Sequence, residues 1–226
     1  MRTSAAREDH RARAVRTCVG CGLKDDAAAL LRLIVADGEV AFVSLFSNGE
    51  PHRHHRNGGD VSAALGRGAH VHPRSHCLSL APKGLARAFH CEVITSAAQL
   101  GKQLVAACDR RMIGLLLAAR RTRMVAVGGD ASCAAIREGA PLVVVALDAG
   151  SIGTSLEVSG AVAEGRAIGW KTKNELGALL GVKAVALCAV RHAGIAEQLK
   201  VLRAAADAGA AMTGEGAECS RCPEAR

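Results

Sequence analysis

The period of the hydrophobic positions changes partway along the chain. In the first third the apolar stretches are short. Ala27–Leu33 is rich enough in Ala and Leu for a helical turn or two. Leu33–Ala36 and Val40–Val43 then alternate with polar residues about Asp37-Gly38, a strong hairpin signal. Val71 is placed to close a small sheet, and Ser79–Phe89 has helical character, with Ser75–Cys77 leading into it. These elements predict a small α+β unit. Past Thr95 the period lengthens. Leu100, Leu104, Cys108, Met112, Leu115, Leu116 and Ala119 recur at helical spacing, and Lys102, Arg110, Arg111 and Arg120 fall on the opposite face.

Strand-like and helix-like segments alternate from there to the C-terminal region. RMVAV, PLVVVALD, RAIGW and AVALCAV read as strands. GGDASCAAIREG, SIGTSLEVSGAVAEG, TKNELGALLG and AGIAEQLKVLRAAADA read as helices. Thr172 and Glu175 form a capping box that marks a helix start. This order predicts an α/β/α layered domain around a central sheet. The expected organisation is a basic disordered arm over 1–15, an α+β domain over 16–94, an α/β/α domain over 96–209 and a disordered tail over 210–226. The first domain carries a polar, Gly- and His-rich insertion at about 47–60, SNGEPHRHHRNGGD.

Charge sharpens this picture. The chain has 226 residues and a formal net charge of +8. Residues 1–95 hold 13 Lys and Arg against 9 Asp and Glu, and residues 96–209 hold 14 against 9, so both segments are basic. That balance favours a polyanionic partner, with a merely solvated cationic surface as the alternative. Aromatic residues are few: one Trp, three Phe and no Tyr. Recognition of single strands by stacked aromatics is therefore disfavoured. The N-terminal residues are charged throughout and resemble no secretory signal, and no apolar run approaches a membrane span. The nine cysteines are read as cytosolic thiols.

Candidate chemistry gathers in two places. Cys18-Val19-Gly20-Cys21 puts two thiols on one turn, as tetrahedral zinc requires, and His72 with Cys77 could complete a Cys3His set. Packing without metal is the competing reading, and a redox role for the CxxC lacks a thioredoxin-like strand and helix around it. Cys219-x-x-Cys222 in the tail reads as incidental. Gly66-Arg67-Gly68 can present a guanidinium fork to phosphate from a relaxed backbone turn. In the second half, Gly128-Gly129-Asp130 opens a helix after a strand. Its free N–H groups suit a phosphate or base edge, with Asp130 acting as a plain N-cap in the alternative reading. Lys171, Lys173 and Arg191 are expected near the same edge, or simply in solvent. No catalytic triad, carboxylate pair or phosphate-binding P-loop is present.

The stretches RTCVGCG, LLRLIV, GRGAHVH followed by Cys77, and LARAF resemble, in order and spacing, the YlxR family of small bacterial RNA-binding proteins. The resemblance spans about Arg16–Glu92, interrupted by the His-rich insertion. Family members often carry an aromatic residue where His70 stands, and Cys where His72 stands. It implies a basic RNA-binding surface, with Arg67 and Arg87 as the best matches to it. MIGLLLAARR, GGDASCAAIREG, LVVVALDA, KTKNELGALLG and AVALCAV are similar to the L-seven-Ae/L-thirty-e ribosomal protein family, in particular its YlxQ-like branch. That similarity covers about Leu100–Asp207 and implies an L-thirty-e-like α/β/α three-layer sandwich. Where kink-turn binders carry Asn-Glu and a Lys one turn later, this chain has Asp130, Ala131 and Ala134. The two resemblances together imply a cytoplasmic, non-catalytic protein that binds structured RNA through Arg16, Gly66, Arg67, Gly68, Arg87, Arg110, Arg111, Arg120, Gly128, Gly129, Asp130, Lys171, Lys173 and Arg191. Its setting would be the ribosome or RNA-processing machinery, with zinc at Cys18, Cys21, His72 and Cys77 as the one candidate cofactor. A DNA-binding, nucleoid-associated regulator is the alternative.

Overall fold

A computed structural model describes residues 14–36, 39–45 and 68–213. The expected arm up to residue 13, the His-rich insertion, Gly66, Arg67 and the tail from 214 lie outside the described residues. Within them the protein is mixed α and β, with six α-helices and three small sheets. It divides into two compact units, and the division falls between Gln103 and Leu104.

The first unit opens with a short antiparallel pair, β1 (Val15–Thr17) and β2 (Lys24–Asp26). The Ala-rich stretch after it makes a single 3-10 turn, Ala27–Ala29, capped by the Asp26 carboxylate, which accepts from the Ala28 N–H at 3.0 Å. It does not extend into a helix, because Leu31 and Leu33 are claimed by a strand that is paired on both sides. That strand, β3 (Leu31–Ala36), lies between β4 (Glu39–Ser44) and β5 (Ala69–Val71), and both pairings are antiparallel. Leu31, Leu33, Ala69 and Val71 turn to the interior, so Arg32 and its partner His70 share the other face. Helix α1 runs over Ser75–Phe89, starting four residues before the periodicity predicts. It buries Cys77, Leu78, Ala81 and Leu85.

Helix α2 (Ala97–Arg121) begins with a reciprocal cap. Gln99 donates its N–H to Ser96 Oγ at 3.1 Å, and Ser96 donates its own to Gln99 Oε1 at 2.8 Å. All seven apolar positions of the predicted stripe are buried, and Lys102, Arg110, Arg111 and Arg120 are exposed. The stripe therefore does what its period requires: one face docks and the other stays wet.

The second unit then follows the predicted alternation. Its elements are β6 (Val125–Val127), α3 (Gly129–Arg137), β7 (Leu142–Val145), α4 (Leu156–Ala163), β8 (Ala167–Gly169), α5 (Lys173–Leu180), β9 (Leu187–Val190) and α6 (Ala193–Ala210). The sheet order is β6-β9-β7-β8, with β7 and β8 parallel and the other pairs antiparallel. Val143 and Leu187 pack against Ile136 of α3 and Val158 and Ala161 of α4. The residues of opposite parity, Leu142, Val144, Cys188 and Val190, are buried too, so these two strands are covered on both faces. The segment from Ser151 to Gly165, read as one helix, is a 3-10 turn over Gly150–Thr154 followed by α4. Ser155 caps the second piece by accepting from the Val158 N–H. The Thr172–Glu175 capping box is formed in both directions.

Candidate metal centre and cationic edge

The Cys-Val-Gly-Cys turn closes the β1–β2 hairpin. Cys18 donates its N–H to the Leu23 carbonyl at 2.9 Å, and Gly22 donates to the Cys18 carbonyl at 2.9 Å. The turn is seated against the backbone of α1. A Cβ on Gly20 would overlap the Cys77 carbonyl and stand 2.8 Å from Cys77 Cα. One on Gly84 would overlap the Val19 carbonyl. No side chain fits at either position, so main chain meets main chain. On the remaining side, Val19 donates its N–H to the His70 carbonyl at 2.8 Å, which ties the turn to β5.

This packing brings together four residues that are far apart in sequence. The ligand atoms of Cys18, Cys21, His72 and Cys77 all lie within 4.8 Å of one another. His72 Nδ1 is 3.4 Å from Cys21 Sγ and 3.8 Å from Cys77 Sγ, and the His72 N–H lies 3.4 Å from Cys18 Sγ. Cys18, Cys77 and His72 are 1%, 3% and 4% exposed. Three thiols and one imidazole form a donor set that can hold a metal ion. With metal–sulfur bonds of about 2.3 Å and a metal–nitrogen bond of about 2.0 Å, a tetrahedron has edges of about 3.5–3.8 Å. The two His72 Nδ1–sulfur separations, 3.4 and 3.8 Å, lie close to those edges.

The thiols differ in their surroundings. The Leu23 backbone N–H, helped by the neighbouring thiols, holds Cys21 below the ordinary thiol value of 9.0. Burial pushes the Cys77 thiol up to about 12. A bound cation would reverse that second effect, because a coordinating thiol is held as thiolate. Asp25 on β2 completes the surroundings. Its Oδ2 lies 3.1 Å from His72 Nε2, and its Oδ1 accepts the Asp26 N–H at 2.7 Å. These contacts, the backbone one first, hold its carboxyl below the ordinary value of 3.8.

Beside the cluster runs a cationic edge. Arg32 and His70 face one another across β3 and β5, and Gly68 lies so close that a Cβ there would stand 2.6 Å from Arg32 Nε. Arg16 on β1 is exposed and donates to the Val15 carbonyl. Burial, with the charges of Arg16 and Arg32, holds His70 below its ordinary value of 6.5. Neither arginine has an acidic ion-pair partner among the described residues. The sequence pointed to Arg16 and Gly68 but not to Arg32. Arg87 is exposed in the last turn of α1.

The second unit places its candidates less uniformly. Gly128, with φ 96°, is the N-cap of α3, so Gly129 and exposed Asp130 lie inside the first turn and Asp130 is not the cap. A Cβ on Gly129 would meet the tip of the Ile152 side chain, which would have to turn aside. Lys171 adopts a left-handed backbone with φ 60° and donates from Nζ to Asp109 Oδ2 at 2.7 Å. The same carboxylate accepts from Trp170 Nε1 at 2.9 Å, and Trp170 is 2% exposed. Lys171 thus helps hold α2 to the end of β8. Lys173 opens α5, its N–H bonded to Asp148 Oδ1 at 2.7 Å. Arg191 is exposed and pairs with Glu138 at 3.2 Å. Arg110, Arg111 and Arg120 remain on the wet face of α2, where Arg111 makes one long contact with Gln198 at 3.4 Å.

Among the described residues no helix is long and apolar enough to cross a membrane. No family model matches the chain, and no curated protein matches it in sequence.

Proposed function

We propose that the chain is a non-catalytic, cytoplasmic protein that binds structured RNA, with a zinc-held YlxR-like first unit and an L-thirty-e-like α/β/α second unit. The observation that carries this reading is the edge formed by Arg16, Arg32 and His70 over Gly68. Two guanidinium groups, exposed Arg16 and half-buried Arg32, both bear on His70, and neither has an acidic ion-pair partner among the described residues. Guanidinium forks match phosphate oxygens in geometry and charge. Arg67, which lies outside the described residues, is the candidate that the sequence adds to this set. The exposed cations of α2 supply further phosphate contacts. The Cys3His cluster and the Asp109 network serve structure in this reading, zinc by joining the hairpin, β5 and α1. Few aromatics favour a folded RNA over a single strand.

The test is binding of the full chain to an RNA hairpin across a salt series. With six to ten phosphate contacts, affinity should fall by about a thousandfold or more between roughly 50 and 200 mM salt. The Arg16→Ala/Arg32→Ala double variant should bind at least tenfold more weakly and flatten the salt slope by about two phosphate contacts. Arg67→Ala should weaken binding without changing the melting profile. Equal affinity for duplex DNA at matched salt would move the assignment to the DNA-binding alternative. Affinity that is indifferent to salt and to the double variant would overturn both.

A further inference from the structure

His72 has two ring nitrogens, and each has its own neighbours. Nδ1 faces Cys21 Sγ and Cys77 Sγ at 3.4 and 3.8 Å, while Nε2 lies 3.1 Å from Asp25 Oδ2. A neutral imidazole carries a single N–H. If Nε2 holds it and donates to the carboxylate, Nδ1 keeps its lone pair for a cation among the thiols. The His72 side chain is 5% exposed, which leaves little room for water to serve Nε2 instead. Asp25 is itself held. Its second oxygen accepts the Asp26 N–H at 2.7 Å, and β2 is locked to β1 with Asp25 opposite Arg16. The hairpin that supplies Cys18 and Cys21 therefore also supplies the group that aims the ligand arriving from β5.

We infer that Asp25 is the positioning residue of the Cys3His centre: its carboxylate fixes the His72 ring so that Nδ1 is the metal donor. The inference rests on the metal reading above and deepens it. Partners of this kind orient a ligating imidazole and raise its basicity. An Asp25 that merely tied β2 to β5 would stabilise the chain equally with and without metal, and that difference separates the two roles.

The experiment uses the full chain loaded with zinc or cobalt(II). Chelator competition is measured for the wild type, Asp25→Ala and Asp25→Asn, and nitrogen resonances of labelled histidine are recorded on the loaded wild type. Asp25→Ala should bind metal about 10- to 100-fold more weakly, with Asp25→Asn, which keeps a neutral acceptor, in between. The metal-free proteins should melt alike. The His72 resonances should show a metal-bound Nδ1 and a protonated Nε2. Coordination through Nε2, or variants that hold metal as tightly as the wild type, would overturn the inference while leaving the metal centre standing. Equal destabilisation of the loaded and metal-free variants would do the same. A wild type that takes up no metal would remove the centre itself, and Asp25's role with it.

Discussion

In the second unit, β7 and β9 are buried on both faces and every residue of β9 is inside. In the first, β1, β2 and β5 have three residues each, and the residues of β1 are all exposed. The second unit is held as ordinary domains are, by apolar area removed from water, at roughly 25 cal/mol per Å². The first has a modest core under one three-stranded sheet, and its hairpin is a two-stranded pair of a kind that is marginal alone in water. The thiol–imidazole cluster spans that hairpin, β5 and α1, beside the Val19–His70 bond and the backbone contacts at Gly20 and Gly84. The contrast teaches that one chain can stabilise neighbouring units by unlike means, and that the unit short of core is the one with converging metal donors.

The largest effect expected from this contrast follows metal removal. Chelation, or the Cys18→Ser/Cys21→Ser double variant, should lower the melting transition of the first unit steeply and leave that of the second nearly unmoved. Calorimetry with metal analysis reads both; about one zinc per native chain and none in the variant is the expected content. Apparent binding energies of structural zinc, about 10–16 kcal/mol in small peptides, are large enough to decide whether a unit of this size folds. A single transition, indifferent to chelator, would erase the distinction. Next in size is the converse perturbation. Leu187→Ala removes a fully buried side chain from β9 and should cost the second unit about 2–5 kcal/mol, with metal content unchanged.

The smallest effect concerns the capping box of α5. Thr172→Ala should destabilise the second unit by about 1 kcal/mol in urea titration. The box also gives that unit a pH signature. Hydrogen bonds from the Thr172 backbone N–H and hydroxyl hold Glu175 below its ordinary value of 4.5. A carboxyl whose folded value is depressed stabilises fully above its unfolded value and ceases to do so as pH falls through the folded one. The stability difference between the wild type and Glu175→Gln should therefore be present at neutral pH and shrink below about pH 4.5. A difference that persists unchanged into acid would assign the effect to side-chain shape.

Legibility in the sequence tracked how local each interaction is. The stripe from Leu100 to Ala119 could be read because helical period and burial are the same fact seen twice. The Thr172–Glu175 box was legible because its partners are three residues apart. The start of α1 was not. Arg74 caps it with no side-chain hydrogen bond, so no polar signal marks Ser75. The four candidate ligands were legible by residue type and spacing, but Asp25 was not. Its approach to His72 arises only when the hairpin folds over β5, 47 residues away. Arg32 was missed for the same reason: its place opposite His70 is a matter of strand register.

The seat of the Cys-Val-Gly-Cys turn has a practical corollary. Because Gly20 and Gly84 let bare backbone rest on bare backbone, the spacing of the thiols is dictated by peptide planes and not by the volume of surrounding residues. The same closeness makes a single added methyl group at residue 20 or 84 more damaging than larger changes on the open side of the turn.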